Sequence, residues 1–312
     1  MMEKSETKMW LQKAETLELN DAAREKAQGS FIDLPAGNTH YELKGEGKLV
    51  VLVHGYSTPY FIYDKLFHRF VADGYKVLRY DLFGRGLSER VKGDYNTALF
   101  SRQLEQLTEA VVPGERFILV GTSMGGSITT AFVKRHPDKV EKLILLAPAG
   151  MDSFKAPFYM KMCKIPGFGK WIFSKIGAKS LLNGCAREII YAKDEVDDFQ
   201  RQFAFSLQYK GFVNATFSSL IHTILATDTT VNAYKAVAAN GTPMLVIWGT
   251  ADRTMPYYQI ERMKEICPAA TYITYEGSGH IFLYDEGERT YGDIRRWINS
   301  NLSGSESPRI RI

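Results

Sequence analysis

Apolar positions along this chain alternate between two spacings. KLVVLVHG (48–55) is a continuous apolar, β-branched run, the pattern of a strand buried on both faces. YFIYDKLFHRFVAD (60–73) has helical spacing, and YKVLRYDLFG (75–84) returns to strand. TALFSRQLEQLTEAV (97–111) reads as a helix started by Asn96 or Thr97. ERFILVG (115–121), the helical MGGSITTAFVKRH and VEKLILLAPAG (140–150) continue the alternation. Two shorter strand-like runs, SFIDL and THYELKG, come before it, split by the turn residues PAGN. Strand and helix alternating at this spacing predict an α/β fold with a mostly parallel, doubly wound sheet.

The rhythm stops near residue 150. Residues 151–240 are aromatic, basic and helix-like, with no buried strand. It resumes with TPMLVIWG (242–249), a helix over 257–267, the strand TYITYEG (271–277) and a last helix over 285–301. The expected organisation is a core of 30–150 and 241–302 interrupted by a helical insertion, 151–240. Residues 1–29 are expected to form a helical extension, a polar helix over 5–28 anchored by Trp10 and Leu11 and stopped by Gly29. Residues 303–312 are left as a tail.

Composition narrows the function classes. The 312 residues are 45% hydrophobic and 24% charged, as in ordinary globular proteins. A net charge of +4 is too mild to argue for a nucleic-acid partner. Cys163, Cys185 and Cys267 lack metal-ligand spacing, and their odd number suits a reducing compartment. The N-terminal stretch has no apolar signal-peptide core, and no apolar run reaches about 18 residues. The expectation is a cytoplasmic protein without metal, with its oligomeric state left open.

The chemistry concentrates at VGTSMGG (120–126), where a buried strand turns at once into a helix. Glycines at 121 and 125 remove the Cβ atoms that such a sharp turn would bring into collision. Ser123 is then held at the tip of the turn, at the C-terminal edge of the sheet, with a helix N-terminus behind it. A nucleophilic serine needs a base, and the base needs an orienting carboxylate. His280 follows the last predicted strand among Gly277, Ser278 and Gly279. Asp252 follows the preceding strand, in WGTADRTMP. Asp152, just past Gly150, is a second acid candidate. Backbone N–H groups of Met124 and of Tyr56, in the loop VHGYSTP, are the expected oxyanion donors. His54 is read as orienting that loop.

HGYS, DLFGRGLS, GTSMGG, WGTADRTMP and GSGH, in this order, resemble the motifs of the α/β-hydrolase fold superfamily over about residues 31–302. The closest look is to its capped serine esterases and monoacylglycerol-lipase-like enzymes, although Thr122 stands where those lipases commonly carry His. The resemblance implies that 151–240 is a cap over the active site, and that DLFGRGLS is a structural turn in which Asp81 holds the turn and is not catalytic. It also implies a hydrolase of carboxylic esters that works without a cofactor.

FKAPFYMKMCKIPGFGKWIF (154–173) suggests an apolar, Met-containing lining for an acyl chain. Phe158, Met162, Trp171 and His222 are the candidate substrate contacts. From Lys155 to Lys193 inclusive there are eight Lys or Arg against one acid, Glu188, so a peripheral contact with an anionic membrane surface is also expected. Two other readings stay open: a small-molecule receptor that keeps its triad, and a carbon–carbon bond hydrolase.

Overall fold

A computed structural model describes residues 9, 13–25 and 27–300. Its centre is an eight-stranded sheet in the order β1-β2-β4-β3-β5-β6-β7-β8. The strands are β1 (Ser30–Leu34), β2 (Gly37–Lys44), β3 (Leu49–Val53), β4 (Lys76–Tyr80), β5 (Phe117–Thr122), β6 (Val140–Leu146), β7 (Met244–Gly249) and β8 (Thr271–Tyr275). Pairing of β1 with β2 and of β2 with β4 is antiparallel, and every later pairing is parallel.

The burial explains the pattern. All residues of β3, β5 and β7 are buried, because helices cover both faces of a parallel sheet. A short helix α1 (Asp21–Arg24) precedes the sheet. Flanking the strands are α2 (Asp64–Ala72), α3 (Thr97–Val111) and α4 (Met124–Arg135). Asn96 starts α3 by accepting the Leu99 N–H at 2.9 Å. Between β6 and β7 come α5 (Phe158–Met162), α6 (Phe168–Ala186), α7 (Val196–Leu207), α8 (Phe212–Ser219) and α9 (Thr227–Ala239). The chain closes with α10 (Gln259–Ile266), α11 (Phe282–Asp285) and α12 (Gly287–Ser300).

From β3 the chain steps to β4 on one side, and β5 then lies on the other. The loops leaving the carboxyl ends of β3 and β5 therefore part around a crevice, where open α/β sheets bind ligands. The helices between β6 and β7 form the far wall of that crevice.

The N-terminal expectation is corrected over 13–25. Residues 1–8 and 10–12, with Trp10 and Leu11, lie outside the described residues. Past them, helix is confined to α1, and Glu15 sits at φ 55°, which ends any helix there. The segment is tied instead to the end of α7. Glu15 N–H donates to the Leu207 carbonyl at 2.7 Å, Leu17 N–H to that of Gln208 at 2.8 Å, and Lys210 N–H back to Leu17 at 2.9 Å. Tertiary hydrogen bonds override a helical composition.

Candidate active site

Gly121 and Gly125 make the turn after β5 possible. A Cβ on Gly121 would lie 2.6 Å from the Gly125 carbonyl oxygen, and one on Gly125 would collide with that of Val53. Between them Ser123 adopts φ 53° and ψ −121°, a conformation that costs a non-glycine residue about 1–3 kcal/mol. The surroundings impose it. Ser123 N–H donates to the Leu146 carbonyl at 2.9 Å, while its own carbonyl accepts from Gly126 and Ala149, each at 2.9 Å. Met124 is the first residue of α4, so its N–H has no acceptor within the helix.

The loop after β3 approaches closely enough that a Cβ on Gly55 would be 3.1 Å from that of Ser123. Buried His54 fixes the orientation here. Its Nδ1 is 3.0 Å from the Gly55 carbonyl, and its Nε2 accepts the Leu82 N–H at 2.9 Å. Because the peptide is planar and trans, anchoring the Gly55 carbonyl aims the Tyr56 N–H the opposite way. Burial, against a weaker opposing pull from Asp81, lowers the His54 pKa to about 4, so it stays neutral.

His280 and Asp252 are buried and joined by a 2.7 Å contact between Nδ1 and Oδ2. The other Asp252 oxygen accepts the N–H groups of Thr254 at 2.9 Å and Met255 at 2.7 Å. One carboxylate thus holds its own turn and the imidazole together. Burial raises the Asp252 pKa, opposed by His280. For His280 burial disfavours the charged ring, but Asp252 and Glu188 outweigh it and raise the pKa. With Nδ1–H donated to Asp252, Nε2 is left as the basic nitrogen.

Ser123 and His280 line one cavity of about 270 Å³, with Gly55, Tyr56 and Thr122 beside them. The opposite wall comes from α5 and α6, including Met162, Ile172, Phe173 and Leu181. Among the described residues no Lys or Arg lines it. Of the four expected substrate contacts, Met162 is on this wall. The other three are corrected. Phe158 is 77% and Trp171 59% exposed, on the outer side of the insertion. His222 is exposed and pairs with Asp94 at 3.3 Å. Phe158 on α5 and Trp171 on α6 are turned outward by their helices, which aromatic character alone does not tell. Asp152 is a surface residue paired with Arg262 at 2.8 Å, away from His280. No group of His, Cys, Asp and Glu among the described residues is arranged to hold a metal.

Glu188, just past α6, belongs to the site and was not foreseen. It is buried and lines the cavity. Its Oε2 accepts the His280 N–H at 3.0 Å, and its Oε1 accepts the Thr254 hydroxyl at 2.8 Å. Asp285 secures the next residues, accepting from Ile190 at 2.8 Å and Ala192 at 2.6 Å. The available signal was its isolation as one acid among many cations.

Comparison with known proteins agrees with this architecture. Over 250 residues the chain is 24% identical to Lipase 3 of Moraxella sp. (strain TA144), covering 80% of this chain and 76% of the lipase. It is 26% identical over 261 residues to the 2-hydroxy-6-oxononadienedioate/2-hydroxy-6-oxononatrienedioate hydrolase of Paraburkholderia xenovorans, covering 75% and 83%. A thermophilic esterase from Thermogutta terrifontis superposes with a TM-score of 0.72 at 19% identity, covering 88% of this chain and 99% of the esterase. The family described as serine aminopeptidase, S33, matches residues 46–287. That span runs from just before β3 to the start of α12, taking in the elbow (the strand–helix turn at Ser123) and the loops of Asp252 and His280, and the chain belongs to this family of α/β hydrolases.

Proposed function

We propose that the protein is a serine hydrolase of carboxylic esters with an apolar acyl group. One observation carries the reading: a serine strained to φ 53° shares an apolar cavity with a histidine that is itself held by a buried aspartate. Ser123 Oγ attacks the ester carbonyl and His280 Nε2 takes its proton. Asp252 holds the ring and stabilises its charged form. The N–H groups of Tyr56 and Met124 receive the oxyanion. His280 passes the proton to the leaving alcohol, then activates the water that releases the acid. Residues 151–240 serve as the cap, and the lining of Met, Ile, Phe and Leu suits an acyl chain. The similarity to Lipase 3 supports an ester substrate.

The similarity to a carbon–carbon bond hydrolase favours a second reading. A substrate carboxylate needs a cationic partner, and the lining supplies none among the described residues. That weighs against it.

The test is hydrolysis of p-nitrophenyl esters from acetyl to palmitoyl, beside Ser123→Ala and labelling with a fluorophosphonate. Many turnovers with medium or long chains, lost together with labelling in the variant, are expected. An acetyl preference removes the acyl-chain reading. Labelling with about one turnover per protein replaces the enzyme with a receptor. Neither labelling nor turnover overturns Ser123 as nucleophile.

A further inference from the structure

Helix α6 carries large apolar side chains on both sides. Its inner side builds the cavity wall through Phe173, Gly177 and Leu181. On its outer side Phe168, Trp171, Lys175 and Lys179 follow at helical spacing, all exposed. A helix packed on one face should be polar on the other. Here Trp171 is 59% exposed, and Phe158 at the start of α5 and Ile165 in the turn before α6 are exposed as well.

The charge on this segment has one sign. Lys155, Lys161, Lys164, Lys170, Lys175 and Lys179 are all exposed. No acid occurs between Asp152 and Glu188. Those two are occupied elsewhere, Asp152 by Arg262 and Glu188 by Thr254 and His280. Ile176 joins this outer face to the site: it lines the cavity and is still 56% exposed, so it stands at the cavity rim between Lys175 and Lys179.

We infer that the outer face of α5 and α6 docks on an anionic lipid bilayer and sets the cavity rim against it. The aromatic and aliphatic side chains enter the boundary between headgroups and acyl chains, and the lysines meet the anionic headgroups. No described helix is long and apolar enough to cross a membrane, so the contact is peripheral. This deepens the ester-hydrolase reading by naming where an apolar substrate enters. The docking itself can be measured without any substrate.

The test is co-sedimentation of the full chain with vesicles of phosphatidylcholine alone or with phosphatidylserine, at low and high salt. Binding only to the phosphatidylserine vesicles, weakened by salt, is expected. Lysine near an anionic surface contributes about fivefold in affinity, so Lys175→Glu with Lys179→Glu should weaken binding at least about 25-fold. Trp171→Ser should weaken it separately. Unchanged thermal unfolding shows that the variants are folded. Failure of wild type to bind, or equal binding by the variants, overturns the proposal. A dimer in sedimentation that the lysine variants dissociate, with no vesicle binding, replaces the membrane with a second copy. Ester turnover is read apart from all of this, so loss of one conclusion leaves the other standing.

Discussion

Two buried histidine–aspartate pairs in this molecule share the same 2.7 Å distance between Nδ1 and a carboxylate oxygen. His40 lies in β2 and Asp81 just past β4, whereas Asp252 follows β7 and His280 follows β8. The second nitrogen separates them. His40 Nε2 is 2.7 Å from the Gln28 carbonyl, so both ring nitrogens face acceptors and both carry protons. Its ring is also stacked on Phe31. Asp81 is equally saturated, accepting N–H groups of Tyr60 and Leu87 at 3.0 Å each. His280 spends one nitrogen on Asp252 and belongs to the wall of a cavity that also holds Ser123. A closed pair holds structure, whereas a pair with one basic nitrogen left beside a cavity is equipped to move a proton.

The comparison breaks most sharply on matched substitutions. Asp252→Asn keeps an acceptor for the Thr254 and Met255 amides but presents the wrong partner to the ring. Turnover of a p-nitrophenyl ester should fall about 10⁴-fold while thermal unfolding changes little. Asp81→Asn should do the reverse. Loss of one member of a buried pair costs about 3–5 kcal/mol, to be read by denaturant unfolding, while turnover per folded molecule stays near wild type. If both variants lose activity without losing stability, the two pairs are not distinct in kind.

Asp81 is a turn-holder by the resemblance of DLFGRGLS, and its carboxylate collects the amides of Tyr60 and Leu87. The elbow was readable from its own residues: only glycine fits at 121 and 125, so the backbone leaves a mark in the sequence. Buried strands such as LVVLV leave a mark through continuous apolar runs. The insertion leaves fewer. Aromatics on α6 serve both its sides, so composition does not tell Phe173, on the cavity, from Trp171, outside it. Residues 13–20 compose like a helix but are fixed by backbone bonds to a segment nearly two hundred residues later, which no local pattern reports. Glu188 gains its partners only when the insertion docks.

A smaller effect sharpens the closed pair. The His40 pKa is raised, burial being outweighed by Asp81, so its contribution is complete below the ordinary 6.5 and fades as pH rises through the folded value. Asp81 is held down to about 2 against burial by the His40 hydrogen bond, so its contribution is present above the ordinary 3.8 and fades as pH falls toward about 2. The two overlap between 3.8 and 6.5. The Asp81 shift alone corresponds to roughly 2 kcal/mol. Unfolding free energy measured across pH should therefore show added stability in that window, flattened in His40→Gln. An unchanged profile would deny the pair its charge.

The smallest effect concerns the other pair and reaches it from the insertion. Glu188 bonds the His280 amide, and its negative charge helps hold the His280 pKa above the ordinary value. Glu188→Gln keeps an oxygen for that amide and removes the charge. The protonated ring loses support, its pKa falls, and the acid limb of kcat/KM moves to lower pH because only the neutral ring accepts the Ser123 proton. The maximal rate should change by less than about tenfold, since Asp252 still holds the tautomer. Glu188→Ala removes the acceptor as well, and should lower kcat through a misplaced ring in addition to shifting the limb. A purely structural Glu188 would change stability in both variants and leave the pH limb of each where wild type has it.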